Sequence, residues 1–315
     1  MFDIVRYSPE RAGEWNRFVA ESKNGTFLFD RGYMDYHADR FADHSLMFYN
    51  EKTGKLYALL PANRHGDVLY SHQGLSYGGL VMSTEVTTAN VCQLFGELNS
   101  YLSAEGFCKV MYKAIPWFYH RVPSEEDLYA LSLVCKAQLA GRDVSSTIIP
   151  VSPVKWKRDR RYAANKAKRT GIVVRQNDDF SEFWKILSDN LSEKFNARPV
   201  HTLQEIELLH SRFPENILLW EAYSSDGDLL AGTVIYKSHG VVHSQYISAS
   251  PEGKRLHAVD ALYDYLIHHA YATAKYIDLG TSNMPHSNDL HESLIYQKEG
   301  FGGRAVCCDT YEWTL

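Results

Sequence analysis

Asp278 sits inside an otherwise apolar strand, Tyr276-Ile277-Asp278-Leu279, and no other residue's position so demands a chemical reason. A carboxylate away from water is costly unless it is paired, so Asp278 needs either a partner or a reaction. His243 lies on the preceding strand, Val241 to Ser248, where period-two alternation puts it on one face with Gln245, and Tyr246 follows. An imidazole there is of the type that suits a general base, although a hydrogen-bonded core or surface histidine is the commoner reading of a single strand histidine. His291 and Glu292 open the last helix and border the same strand ends. Serine, cysteine and lysine appear in no recognisable nucleophile motif, so no covalent enzyme intermediate is expected.

A second set of residues suits anions. Ser250-Pro251-Glu252-Gly253-Lys254-Arg255-Leu256-His257 joins that strand to a helix with Val259, Leu262, Tyr263, Leu266, Ile267 and Ala270 on one face. A glycine-containing loop at a helix N-terminus offers free N–H groups to phosphate, and Lys254 and Arg255 add charge. An ordinary crossover with a solvated basic turn is the alternative. Upstream, the run from Lys155 to Arg169 places Arg158, Arg161, Asn165 and Lys168 on one helical face. It is read as a transfer RNA contact with Trp156 and Tyr162 stacking on bases, or as a solvated basic helix. In the first half, Ser71-His72-Gln73-Gly74-Leu75-Ser76-Tyr77-Gly78-Gly79 is polar and glycine-rich. There His72 and Tyr77 are candidates to bind acceptor hydroxyls, against a turn whose glycines only meet backbone geometry.

The elements that must position these residues repeat. Helices are expected at Arg11–Ser22, Tyr33–Phe41, Thr88–Glu105 and Ser124–Leu139, the last with Ser124 as N-cap. Strands are expected at 45–49, 55–60, 67–71, 108–114 and 143–150. The second half runs helix (from Phe180), helix (Leu203–Phe213, with Thr202 as N-cap), then strands 217–223, 229–236 and 241–248 with Asp226-Gly227 as a hairpin turn. Helix, strand, helix and strand then close the chain at Trp313. The order implies a duplicated α+β fold, a mixed and mostly antiparallel sheet flanked by helices in each of two domains, 1–150 and 151–315.

A chain of 315 residues, 45% hydrophobic, with 21 Tyr and 14 Phe, can bury two cores. Its net charge of −5 gives no global attraction for DNA or an anionic membrane. Five cysteines without a CxxC or a Cys/His pairing at zinc spacing point to free thiols in a reducing compartment and to no metal site. With no apolar leader and no run approaching 18 apolar residues, a cytoplasmic location without a membrane span is expected.

Leu294-Ile295-Tyr296-Gln297-Lys298-Glu299-Gly300-Phe301 resembles the last helix of the GNAT acyltransferases, and Ser250 to His257 falls where that family has its pyrophosphate loop. The loop has one glycine where the family pattern has two. Gln297 to Arg304, followed by Asp309-x-Tyr311, is similar to the Fem-type, tandem-GNAT branch, whose members transfer acyl or aminoacyl groups to amines, often in envelope or polysaccharide synthesis. The resemblance implies acyl-CoA as co-substrate, with Ser250, Glu252, Gly253, Lys254, Arg255 and His257 near its phosphates and a degenerate first domain. It puts Tyr296 at the position of the tyrosine that protonates the leaving thiolate. It gives the basic run a part in binding an anionic acceptor such as a nucleotide-linked sugar. Lys194, Asn196 and Pro199 match a short Fem-type segment that forms one wall of the acceptor site. The expected function is N-acylation of an amino sugar. An aminoacyl-tRNA-dependent transferase is the alternative, weakened because the long helical arm of some Fem enzymes is missing. A non-catalytic nucleotide-sugar-binding scaffold is a further one.

Overall fold

The computed structural model describes residues 1–284, 287 and 289–315. The chain forms two compact units, Met1–Asp143 with Cys307–Leu315, and Val144–Val306. The division expected after residue 150 thus meets one after Asp143, and the final nine residues belong to the first unit.

In the first unit, β1 (Phe2–Arg6), β3 (Leu46–Asn50), β4 (Leu56–Leu60) and β7 (Val81–Met82) form one antiparallel sheet. Strands β2 (Ala42–Asp43), β5 (Asn63–His65), β6 (Val68–Tyr70), β8 (Lys109–Lys113) and the end of β15 (Arg304–Thr314) follow one another in a second. Helix α1 spans Ala12–Glu21, α2 Arg31–Met34, α3 Thr88–Ala104 and α4 Glu126–Leu133. α3 starts where the Thr87 side chain accepts from Asn90 N, and its buried Val91, Leu94, Phe95, Leu98 and Leu102 repeat at helical spacing. This stripe and the inner faces of β1, β3 and β4 make the core.

Two expected helices are shorter. Of the segment expected at Tyr33–Phe41, only Tyr33 and Met34 are α-helical, at the end of α2, and a 3-10 turn follows at Asp35–His37. The helix expected from Ser124 to Leu139 covers Glu126–Leu133. Ser124 does not cap it, because its hydroxyl donates to Val122 O at 2.8 Å. Left-handed Lys136 (φ 50°) turns the chain into β9 (Gln138–Ile148).

The second unit is one sheet in the order β10 (Val173–Asn177), β11 (Ile217–Tyr223), β12 (Leu229–Ser238), β13 (Val241–Ala249), β14 (Tyr276–Thr281) and the end of β9. Every neighbouring pair is antiparallel except β13–β14. Helices α5 (Arg158–Arg169), α6 (Ser181–Phe195), α7 (Leu203–Arg212), α8 (Pro251–Arg255), α9 (Ala258–Tyr265) and α10 (Glu292–Gly300) accompany it. α7 has a full capping box, with Thr202 and Glu205 each bonding the other's backbone. The core packs α9 against Ala222, Ile235, Val242, Ile277 and Leu279, with Trp156 and Phe301 beside Tyr263. A π-helical turn, Leu266–Ala270, continues α9. Both units have the expected α+β class.

Candidate active site

The parallel pairing of β13 with β14 covers Val241↔Tyr276, Val242↔Ile277 and His243↔Asp278, and ends there. His243 and Asp278 therefore stand side by side on the last paired rung. Each strand is irregular just beyond it. On β13 the register against β12 passes from Ile235↔Ser244 to Val234↔Tyr246, so Gln245 is an extra residue. On β14 the register against β9 passes from Asp278↔Thr147 to Thr281↔Ser145, and Gly280 takes φ 78°, a left-handed conformation open to glycine at little cost. The Thr233 hydroxyl holds the β13 bulge by donating to Tyr246 O at 2.8 Å.

The bulges aim polar groups at Asp278, which is 3% exposed. His243 Nδ1 lies 2.7 Å from Asp278 Oδ2, while Oδ1 accepts from Gly280 N at 3.1 Å and from the Ser145 hydroxyl. Burial pushes this carboxyl up. The charge and hydrogen bond of His243, with the bonds from Ser145 and Gly280, outweigh burial and hold it below the usual carboxylate range. An ionised Asp278 makes Nδ1 the protonated imidazole nitrogen, which leaves Nε2 as an acceptor. The His243 side chain is 18% exposed, and Nε2 has no hydrogen-bond partner among the described residues. A histidine so oriented by a buried carboxylate is equipped to take a proton from a nucleophile.

Lys298 reaches the same place from α10. Its ammonium donates to Gly280 O at 2.8 Å and Thr281 O at 2.6 Å. Burial lowers it to about 8 against the opposing pull of Asp278. It pins the turn that carries the Gly280 N–H. On the α9 side, Ser244 Oγ lies 2.9 Å from Thr233 Oγ1 and 3.1 Å from Tyr263 Oη. Burial pushes that phenol up to about 12. Tyr246 Oη sits 2.5 Å from Nδ1 of buried His201, with Trp184 edge-on to its ring. Gln245 Oε1 is buried with no hydrogen-bond partner among the described residues.

The other expected residues are spread more widely. The loop holding Gly253 is the one-turn helix α8, capped by the Ser250 hydroxyl, which accepts from Gly253 N at 3.0 Å. A Cβ at Gly253 would lie 1.9 Å from Leu230 O, so this glycine serves close packing on β12, and its N–H is already used. Arg255 pairs with Glu252, and Lys254 with the Asn190 side chain. His257, left-handed at φ 58°, is the residue before α9 and gives it no side-chain cap. Tyr296 is 54% exposed, with Lys157 Nζ 3.6 Å from its ring centroid. His291 caps α10, its Nδ1 accepting from Leu294 N at 3.3 Å. Asn196 is the exposed, left-handed C-cap of α6. Arg158 and Arg161 are exposed on α5, and Lys168 bonds Asp264.

His72 and Tyr77 lie in the interior of the first unit. His72 packs on His37 and Phe41, and burial lowers it to about 3, so it is neutral. Tyr77 donates to Thr26 Oγ1 at 3.0 Å and packs on Phe29 and Tyr119. These are core roles.

Sequence reasoning named His243 and Asp278 without pairing them, and it missed Ser145, Lys298 and His201. Lys298 was within reach, because it lies three residues before buried Phe301 and hence on the inner face of its helix.

Residues 155–288 match the family of the acetyltransferase (GNAT) domain. Among curated proteins no sequence matches the chain. Among solved structures, FemX is similar over 99% of this chain and 97% of its own, at TM-score 0.70 and 10% identity. The C-terminal domain of a putative lysylphosphatidylglycerol synthetase from Agrobacterium fabrum is similar over 96% and 91%, at 0.60 and 12%. A tandem GNAT protein of the clavulanic acid biosynthesis pathway is similar over 100% and 98%, at 0.53 and 9%. Residues 155–288 are thus similar to the GNAT acetyltransferase domain, and the fold of the chain is the Fem-like tandem-GNAT fold.

Proposed function

We propose that the protein is an N-acyltransferase that moves an acyl group from acyl-CoA to the amine of a cell-envelope precursor, such as an amino sugar. The observation that carries this reading is the His243–Asp278 pair on the last rung of the β13–β14 pairing, with no hydrogen-bond partner for Nε2 among the described residues. In this reading the amine attacks the acyl carbonyl, and His243 Nε2 takes the proton that the nitrogen loses. Asp278 keeps the Nδ1 proton in place and stabilises the imidazolium. A backbone N–H of β13 beyond the rung and the Lys298 charge favour the tetrahedral oxyanion. The C–S bond then breaks, and the thiolate leaves with a proton from solvent or Tyr296. The envelope acceptor is supported by fold similarity to FemX and to a putative lysylphosphatidylglycerol synthetase domain.

One observation favours a second donor. Gly253 is committed to packing against Leu230 O, so α8 presents no open cradle for a pyrophosphate, and its cations are paired locally. The first turn of α9, behind His257, is then the place for the donor's phosphates. An aminoacyl-tRNA, whose ester needs no such cradle, is the alternative donor. Thiol release from a panel of acyl-CoAs with amino-sugar acceptors separates the two readings. Acceptor-dependent release that falls by about 10²–10⁴ in His243→Gln supports the first. Silence with every thioester, beside consumption of aminoacyl-tRNA, would assign the second.

A further inference from the structure

Eight basic residues and one acidic residue fall between Lys155 and Arg169, in a chain of net charge −5. Arg160 and Lys168 are tied into the unit by Asp260 at 3.0 Å and Asp264 at 2.5 Å. Lys155, Arg158, Arg161, Lys166 and Arg169 are exposed and make no ion pair among the described residues. α5 buries the opposite face, Ala163, Ala164 and Ala167, so its four unpaired cations face solvent, and Lys155 is exposed just before the helix.

The segment that leads into this helix adds a different feature. Ile149, Val151 and Val154 are 45%, 73% and 39% exposed, and Tyr162 on α5 is 69% exposed. A turn closed by Ser152 N to Ile149 O at 3.1 Å carries Val151 at its tip. The backbone behind it is fixed: Lys157 N donates to Gly300 O at 2.9 Å, and a Cβ at Gly302 would lie 2.5 Å from Val154 O. The aliphatic chains are therefore presented by packed structure.

From this juxtaposition we propose that residues 149–169 form a docking surface for an anionic lipid bilayer, with the cations among the headgroups and Val151, Ile149 and Val154 at the acyl boundary. Each feature answers to one part of that partner. Cations gain from an anionic leaflet, aliphatic side chains gain from the interface, and a tyrosine suits headgroup depth. RNA would use the cations, but its bases stack on aromatic rings and give solvent-exposed valines nothing to enter. The inference concerns where the protein works, and it does not rest on the acyl-transfer reading.

Co-sedimentation of the full chain with vesicles of phosphatidylcholine, with and without phosphatidylglycerol, tests it. Binding is expected only with phosphatidylglycerol and should weaken with salt. Each cation lost near such a surface costs about fivefold in partitioning, so Arg158→Glu with Arg161→Glu should lower it at least about 25-fold. Val151→Asp should lower it several-fold and leave the binding of a mixed transfer RNA pool unchanged. All three positions are exposed, and thermal unfolding checks that the variants fold. No binding to phosphatidylglycerol vesicles, or binding indifferent to both variants, overturns the proposal. So does transfer RNA binding that needs the arginines in a protein that ignores vesicles.

Discussion

Replacing Asp278 by asparagine keeps the shape of a buried side chain and removes its charge. The local bonds dictate how the amide must sit. Gly280 N–H, 3.1 Å from Oδ1, can only donate, so the amide oxygen takes that position and the Ser145 hydroxyl follows it. The amide nitrogen then faces His243 Nδ1 across 2.7 Å and must donate to it, which drives the imidazole proton to Nε2. Three charge-assisted bonds become neutral ones, each weaker by about 1 kcal/mol. Relief from burying a carboxylate returns part of this, so the net loss of stability is about 1–3 kcal/mol. The chemical cost is larger, because a protonated Nε2 cannot accept: about 10²–10⁴ in rate if His243 is the base. The pH dependence has a defined sign. Because the folded carboxyl lies below its unfolded value of about 3.9, its stabilisation is complete above that value and is lost as pH falls through the folded one. Urea unfolding of both proteins across this acid range should show the wild type losing more stability than the variant. Nitrogen NMR of the imidazole reads the proton position directly. A variant whose imidazole keeps its proton on Nδ1, or which is folded and transfers acyl groups at the wild-type rate, would refute the reasoning.

Lys298→Met leaves Gly280 O and Thr281 O without their donor and should cost about 2–4 kcal/mol in urea unfolding. Because burial lowers Lys298 to about 8 from an unfolded value of about 10.4, the native state binds fewer protons between these values. Wild-type stability should therefore gain from this group as pH rises across that interval, and the methionine variant should lack the gain. Gly280→Ala has room, the nearest neighbour being His243 Cε1 at 3.5 Å, but φ 78° strains it; a loss of about 1–2 kcal/mol in the same assay is expected. Gly253→Ala, forced against Leu230 O, should lower the melting temperature sharply, by roughly 3 kcal/mol of stability, even without any ligand. A glycine present only to admit phosphate would show no such loss.

Where a residue's own pattern carries its fate, the sequence was legible. The apolar period of α3 and the Thr202–Glu205 capping signal give elements that fold as read. Asp278 announced itself by the cost of a lone carboxylate in an apolar strand, and its pairing supplies the compensation. Register was harder. The rung that sets His243 beside Asp278 joins strands separated by 26 residues of helix and turn, and two bulges decide what lies around it. Ser145 arrives from a distant strand with no local mark. Gly253 is ambiguous in sequence because glycine is demanded equally by phosphate and by a neighbouring carbonyl, and only the structure brings Leu230 O against it. The burial of His72 and Tyr77 was not legible from their polarity, since aromatic packing can absorb both rings inside a core.

The dyad occupies the final rung of a parallel pair and is anchored from β9 and α10 rather than from the diverging ends of β13 and β14. It works as a pivot, and the opening beyond it as a pair of jaws. Side-chain exchanges among residues 246–249, which stay paired with β12, can change what borders the jaws while the pivot stays put. If His243 is the base, a lineage with this architecture could exchange one acceptor for a bulkier one by altering only side chains at the tips, with the dyad never leaving register.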